Sequence, residues 1–284
     1  MIFRTFGTSG CAVPIVGQGT WDMPERGDER DEAKKALRTG IHKGMVHIDT
    51  AEMYGSGLCE ELVGDAIKDI QRDHLFIVSK VLPSNATYKG TIRACELSLR
   101  RLKSDYLDCF LLHWRGNQPL DETMAALETL VQQGKIRFLG VSNFDVADLQ
   151  EAQRFLSKQK IVCNQVLYHL GERGIERRLI PYCHEHDIAV VAYTPFGQRP
   201  LPDIKSAGGK VLERVAVKHG VSVRQVVLAF LVRQDLLFTI PKAAKSAHVL
   251  ENAAAGKLKL ETEDIAAIEA AFPAPDQDTP LATL

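Results

Sequence analysis

Short apolar segments alternate with amphipathic helical segments along this chain, and the alternation restricts the possible folds more than any other feature. Eight apolar segments are centred near positions 16, 46, 76, 108, 138, 162, 189 and 238. Strands that alternate with helices form parallel sheets, in which both faces are covered and the strands are continuously apolar. Eight such units predict an α/β protein of the (β/α)8 TIM barrel type. No linker rich in proline, glycine or serine divides the 284 residues, so we expect one barrel domain over 1–284.

The two ends of the chain depart from this alternation. Turn residues between two apolar pieces over residues 3–16 predict an N-terminal β-hairpin. A last helix is expected to begin near Ser246, and a short C-terminal tail rich in proline follows from Ala271. The alternative fold, a doubly wound open sheet, needs a glycine-rich phosphate loop after its first strand. Gly17 and Gly19 stand there without a third glycine, and a charged loop follows them, so the barrel is favoured.

Composition narrows the expected partners and the expected compartment. With 35 basic and 36 acidic residues, the chain has no excess charge for a nucleic-acid or anionic membrane surface, which favours a small neutral or dipolar partner. No apolar run is long enough for a signal peptide or a membrane span, so we expect a cytoplasmic protein. The six cysteines form no CxxC pair and the nine histidines show no metal-ligand spacing, so we expect free thiols and no metal.

Polar and aromatic residues recur at the predicted carboxyl ends of the strands. In a barrel of this type, the active site is built from these strand ends and the loops after them. Both tryptophans of the chain stand at such positions. We therefore expect one cavity to be formed by Trp21, Asp49, Tyr54, Lys80, His113, Trp114, Ser142, Asn143, Gln165, Tyr193 and Lys242.

Four of these residues together suggest acid–base chemistry. A tyrosine with its ordinary pKa of about 10 is a poor acid near neutrality. A neighbouring ammonium from Lys80 is expected to lower the pKa of Tyr54, and Asp49 is expected to keep that lysine charged. His113 can donate a second hydrogen bond to the same acceptor. Singly, each residue has an ordinary structural explanation, but four strand ends with matching chemistry favour a proton donor for a carbonyl oxygen.

Several motifs in a fixed order identify a family. They are Gly17-Gln18-Gly19-Thr20-Trp21, Asp49-Thr50-Ala51 with Tyr54-Gly55, Ser79-Lys80, His113-Trp114, Gly140-Val141-Ser142-Asn143-Phe144, Asn164-Gln165, Ala192-Tyr193-Thr194-Pro195 and Ile240-Pro241-Lys242. Over nearly its whole length the chain therefore resembles an aldo-keto reductase, of the bacterial type with short loops. The resemblance implies a catalytic tetrad of Asp49, Tyr54, Lys80 and His113, with Tyr54 as the general acid and His113 orienting the substrate.

The resemblance also implies NADPH as the cofactor, with NADH as the alternative. In the implied mechanism the nicotinamide gives hydride to the carbonyl carbon while Tyr54 protonates the oxygen. Ser142, Asn143 and Gln165 would hold the carboxamide, and Tyr193 would stack on the nicotinamide ring. The whole implied cofactor site comprises Gly19, Thr20, Trp21, Asp49, Ser142, Asn143, Gln165, Tyr193, Thr194, Pro195, Phe196, Gly197, Ile240, Pro241, Lys242, Ala243, Lys245, His248, Glu251 and Asn252.

The adenosine end of this implied site departs from the family pattern at two positions. Ala243 replaces the usual serine, and His248 replaces the usual arginine. An arginine grips a phosphate through a planar fork and stays charged, whereas a histidine is only partly charged near neutrality. Lys245 can compensate. We therefore expect NADPH to be preferred, by a smaller margin over NADH than an arginine would give.

The expected substrate is a small aldehyde, ketone or dicarbonyl. Short loops predict an open pocket, with apolar walls from Trp21, Met53, Trp114 and Phe196 beside Tyr54 and His113. A sugar, a steroid and a diketo acid remain open, and the family implies a monomer. Two other functions also remain open. One is a cofactor-sensing module with little turnover, and the other is an aldolase or lyase that uses Lys80 as a Schiff-base nucleophile.

Overall fold

The computed structural model describes residues 1–198 and 201–284. The strands are β1 (Phe3–Thr5), β2 (Ala12–Pro14), β3 (Gln18–Gly19), β4 (His47–Asp49), β5 (Phe76–Val81), β6 (Leu107–Leu112), β7 (Ile136–Ser142), β8 (Ile161–Leu167), β9 (Ala189–Tyr193) and β10 (Leu237–Thr239). The helices are α1 (Gly27–His42), α2 (Leu58–Ile67), α3 (Tyr88–Leu102), α4 (Leu120–Gln132), α5 (Val146–Arg154), α6 (Leu179–Glu185), α7 (Ala207–His219), α8 (Val223–Leu231), α9 (Ser246–Ala255) and α10 (Thr262–Ala271).

Eight of the strands form one parallel sheet that closes on itself. From β3 to β10, each strand pairs with the next one along the chain. The first and last strands then meet, because Val16 forms a parallel bridge with Thr239 and Gly19 forms one with Lys242. A side chain at Gly19 would place its Cβ 2.5 Å from the carbonyl oxygen of Ile240, so this junction requires glycine. The predicted (β/α)8 barrel is confirmed.

The predicted N-terminal hairpin is also confirmed, and it covers the amino end of the barrel. β1 and β2 pair in antiparallel register, and Phe6 follows β1 into the core, where it is fully buried. Its ring centroid lies 4.9 Å from that of Phe76, 5.0 Å from that of Phe238 and 5.7 Å from that of His47. These aromatic rings fill the end of the barrel opposite the carboxyl ends of the strands.

One helix boundary and the number of C-terminal helices differ from the sequence-based expectation. The repeat of Ala33, Leu37 and Ile41 every four positions predicts a helix from Asp31. α1 begins earlier, at Gly27, and its first turn carries Asp28 and Glu29, whose charges favour a helix N-terminus. The helix at Ser246 is not the last one, because α10 follows it. α10 was missed because its apolar periodicity is weak. A reciprocal capping box between Glu261 and Asp264 defines its start.

Two further features of the described residues concern the thiols and the length of the helices. The six cysteines are free, and all except Cys11 are buried. Over residues 1–198 and 201–284, no helix is both long and apolar enough to cross a membrane.

Candidate active site

A cleft at the carboxyl ends of the strands gathers most of the residues singled out in the sequence. Its volume is about 360 Å³. Of the eleven residues expected to form one cavity, all except Lys80 border it. The cleft is lined by Gly19, Thr20, Trp21, Asp49, Met53, Tyr54, His113, Trp114, Ser142, Asn143, Gln165, Tyr193, Thr194, Pro195, Gln198, Ile240, Lys242 and Leu284.

Lys80 lies beneath the cleft and is completely buried at the end of β5. Its Nζ donates to Asp49 Oδ1 at 2.6 Å, to the carbonyl oxygen of Thr50 at 2.9 Å and to Tyr54 Oη at 3.1 Å. All three donors of the ammonium therefore have a partner. Burial works to lower the pKa of Lys80, but attraction by Asp49 and Tyr54 exceeds that effect and the pKa is raised. Lys80 is a stably charged ammonium.

Tyr54 connects this buried charge to the cleft. It begins a tight turn over Tyr54–Gly57, in which Gly55 has a φ of 54°. Burial raises the pKa of Tyr54 and exceeds the opposing effect of the Lys80 ammonium. The expectation that Lys80 would lower the pKa of Tyr54 overall is therefore wrong, because the phenol is too deeply buried. Tyr54 is a neutral phenol, and since Lys80 donates to its oxygen, its own proton is free to point elsewhere.

His113 is held in the neutral form at the wall of the cleft. Burial, assisted by the Lys80 charge, lowers the pKa of His113 to about 3. Its Nδ1 is buried and has no hydrogen-bond partner among the described residues. The imidazole ring packs edge-on against the Tyr54 ring at 5.7 Å and tilted against the Trp114 ring at 4.9 Å. These contacts place the phenol and the imidazole next to each other.

The residues implied to hold the carboxamide form a hydrogen-bonded chain around the cleft. Tyr193 Oη donates to Asn143 Oδ1 at 2.9 Å, and Asn143 Nδ2 donates to the carbonyl oxygen of His113 at 3.2 Å. Gln165 Nε2 donates to Asp49 Oδ2 at 2.7 Å. Ser142 Oγ donates to the carbonyl oxygen of Gln165 at 2.8 Å. Asp49 thus accepts hydrogen bonds on both oxygens, and the tetrad is joined directly to this chain.

The implied adenosine segment, residues 242–252, follows β10 and runs into α9, and its residues differ in exposure. Lys242 is exposed and borders the cleft, while Lys245 and His248 are exposed beyond it. In the described parts of the chain, neither lysine forms an ion pair. Ala243 and Asn252 are buried and Glu251 is half-buried. Pro241, just before the segment, accepts a hydrogen bond from the Gly19 amide at 3.2 Å through its carbonyl oxygen.

One residue expected in the substrate wall does not border the cleft, and two residues that do border it were not predicted. Phe196, expected in the substrate wall, lies with Gly197 on a neighbouring cavity of about 430 Å³, which shares Pro195, Gln198 and Leu284 with the cleft. Gln198 and Leu284 border the cleft but were not identified. Gln198 continues the loop after β9 and could have been included, whereas nothing local to the tail indicates where Leu284 packs.

Comparison with known proteins places the chain in a family. The sequence model of the Aldo/keto reductase family matches residues 15–272. The chain belongs to this family and is an oxidoreductase. It is 45% identical over 270 residues to the methylglyoxal reductase YeaE of Escherichia coli, with 95% of each chain covered. It is 38% identical over 264 residues to the glyoxal reductase of Bacillus subtilis, with 92% of this chain and 90% of the relative covered.

A solved structure gives the same result. An aldo-keto reductase from Klebsiella pneumoniae in complex with NADPH superposes with a TM-score of 0.93 at 44% identity, and each chain is covered completely. A second structure from that organism, in complex with NADP and acetate, superposes with a TM-score of 0.90 at 43% identity over 99% of each chain.

Proposed function

We propose that this protein reduces small aldehydes and dicarbonyl compounds to alcohols with NADPH as the reductant. The observation that carries the proposal is the position of Tyr54, a neutral phenol that touches the buried Lys80–Asp49 pair on one side and borders an open cleft on the other. The two bacterial relatives named for methylglyoxal and glyoxal, and the neighbouring structure with NADPH, support the same reaction.

The residues around the cleft fit a dihydronicotinamide nucleotide. Tyr193 is half-buried beside the cleft and hydrogen-bonded to Asn143, so an aromatic face and amide groups stand together where a carboxamide ring needs them. Lys242 supplies a cation at the cleft, and no described carboxylate neutralises it. An uncompensated cation in that place suits a phosphate.

In the proposed mechanism, the carbonyl oxygen of the substrate accepts hydrogen bonds from Tyr54 Oη and from the His113 imidazole. When bound, the cofactor supplies the hydride for the carbonyl carbon. As negative charge develops on the carbonyl oxygen, Tyr54 transfers its proton to that oxygen: the phenolic O–H bond breaks and the alcohol O–H bond forms. An alkoxide is a far stronger base than a phenolate, so the transfer is favourable even though burial raises the pKa of Tyr54.

The buried ion pair stabilises what remains after this transfer. Lys80 Nζ already lies 3.1 Å from Tyr54 Oη, so its charge faces the phenolate as soon as that forms. Asp49 holds the ammonium in place through the 2.6 Å contact. His113 stays neutral throughout, because its pKa is about 3, and acts as a hydrogen-bond donor rather than an acid.

The walls of the cleft favour a small uncharged substrate. Trp21, Met53 and Trp114 are 52%, 39% and 38% exposed and all three border the cleft, so these large apolar side chains are free to contact a ligand. Lys242 is the sole lysine or arginine among the described residues of the cleft, and the proposed cofactor phosphates engage it. No second cation remains to hold a substrate carboxylate.

The alternative use of Lys80 as a Schiff-base nucleophile gains no support from its surroundings. Such a lysine must be neutral and accessible, whereas Lys80 is charged and completely buried. The alternative as a cofactor-sensing module predicts that NADPH binds with little turnover, which the following assay separates from catalysis.

The test is the loss of nicotinamide absorbance when purified protein is given NADPH or NADH with glyoxal, methylglyoxal and simple aldehydes. We expect turnover with both dicarbonyls and a higher kcat/KM for NADPH than for NADH. The margin is expected to be moderate, since His248 replaces an arginine. Tight NADPH binding without turnover would favour the sensing module, and a higher kcat/KM for NADH would contradict the assigned cofactor preference.

A further inference from the structure

An exposed arginine lies on an aromatic ring next to the active-site loop. Arg224 is in the first turn of α8, and its guanidinium carbon is 3.8 Å from the centroid of the Phe196 ring. In the part of the chain that the structure describes, Arg224 has no carboxylate within ion-pair distance, so the ring is its partner. Stacking uses the flat face of a guanidinium and leaves its N–H donors free in the plane. The side chain is therefore held in place with its hydrogen-bonding capacity unused.

The first turn of α8 also contacts the segment implied to hold adenosine. Ser222 Oγ donates to Glu251 Oε1, and Gln225 Nε2 donates to the carbonyl oxygen of Glu251 at 3.1 Å. Arg224 stands between these two residues in the sequence. This turn of α8 thus contacts Phe196, three positions after Tyr193, on one side and Glu251 of α9 on the other.

We propose that Arg224 binds the pyrophosphate of the nicotinamide cofactor. The inference rests on the proposed function, because it assumes that a dinucleotide reaches from Tyr193 to α9. In such a molecule, the pyrophosphate joins the nicotinamide half to the adenosine half, and the Phe196–Arg224 stack lies between the residues assigned to the two halves. A planar guanidinium with free N–H donors can bind two phosphate oxygens at once.

This contact would supply a charge that the adenosine segment lacks. His248 stands where an arginine is usual, and Lys242 and Lys245 act only as point charges. The Arg224 guanidinium on α8 adds affinity for both NADPH and NADH, because both carry the pyrophosphate. It adds no preference for the 2′-phosphate.

The test is the affinity of the two dinucleotides, measured without turnover. Trp21 and Trp114 are the two tryptophans of the chain and both border the cleft, so quenching of their fluorescence reports binding. We expect Arg224→Ala to weaken NADPH and NADH alike by about tenfold or more, the loss typical of a hydrogen bond to a charged group. Arg224→Lys is expected to fall between, with the melting temperature unchanged in both variants.

A matched control is Arg93→Ala, which removes an exposed arginine that lies on α3 and forms no ion pair with the described residues. It is expected to leave both affinities unchanged. Arg224→Ala with affinities equal to those of Arg93→Ala would overturn the proposal. A loss confined to NADPH would also overturn it, since that result places the guanidinium at the 2′-phosphate. If the unaltered protein bound neither dinucleotide, the proposed function itself would fail.

Discussion

Burial and charge act against each other on the buried residues of the active site, and their balance decides which form each residue takes. For Lys80, the attraction of Asp49 and Tyr54 is the stronger effect and keeps the ammonium. For Tyr54, burial is the stronger effect and keeps the proton. The identity of these residues could be predicted from the sequence, because strand ends meet at one face of a barrel. The direction of the Tyr54 shift could not, because depth of burial is a property of the packed fold.

His47 makes a residue-scale prediction about stability in acid. It is fully buried at the covered end of the barrel, and neither ring nitrogen has a partner among the described residues. Burial, with a smaller effect of the Lys80 charge, lowers its pKa to about 3. In the unfolded chain the pKa is about 6.5. As the pH falls below 6.5, His47 becomes protonated in the unfolded state but stays neutral in the folded state. The free energy of unfolding therefore falls by up to about 1.4 kcal/mol per pH unit.

We therefore expect His47→Phe to lose less stability on acidification than the unaltered protein does. Phenylalanine is close in size and suits the ring contacts with Phe6 and Phe76. The measurement is urea unfolding at pH 7.5, 6 and 5. His113 contributes a similar slope in both proteins, so the difference isolates His47. Equal slopes for variant and parent would show that His47 is not protonated selectively in the unfolded state.

Among the elements, α10 depends on a buried ion network that links it to the barrel. Arg173 and Arg233 are 3% and 5% exposed and both contact Glu176, which also accepts from Tyr168 Oη. Arg173 in addition donates to the carbonyl oxygen of Phe272, just beyond α10. This network explains how a helix with weak apolar periodicity is held in place.

Glu176→Gln tests the network. The change removes the negative charge that pairs with the two buried guanidinium groups. Glu269 contacts both groups, but its carboxylate is too exposed to replace that charge fully. We expect a loss of about 3 kcal/mol in the free energy of unfolding, measured with urea. Asp278→Asn is the matched control, because Asp278 pairs with Arg177 at the surface and such pairs contribute less than about 1 kcal/mol. Equal effects of the two changes would contradict a stabilising role for the buried network.

For the whole molecule, periodicity in the sequence was sufficient to predict the barrel and the hairpin, because both depend on local alternation of apolar residues. The cleft followed, since a closed parallel barrel brings all carboxyl strand ends to one face. Features that depend on distant contacts were not predictable in the same way. Phe196 packs on a cavity beside the cleft, and Leu284 reaches the cleft from the far end of the chain. The expected monomer and cytoplasmic location stay predictions.

Turnover of Tyr54→Phe with NADPH and methylglyoxal tests the central assignment most directly. The change removes one hydroxyl, which is the proposed proton donor, and leaves the ring that packs against His113. We expect kcat to fall by at least about 100-fold, a usual contribution of general acid catalysis, with cofactor affinity nearly unchanged. Tyr182→Phe, whose hydroxyl lies outside the cleft, is expected to behave like the unaltered protein. A Tyr54→Phe variant that retains most of its turnover would contradict the role of Tyr54 as the acid.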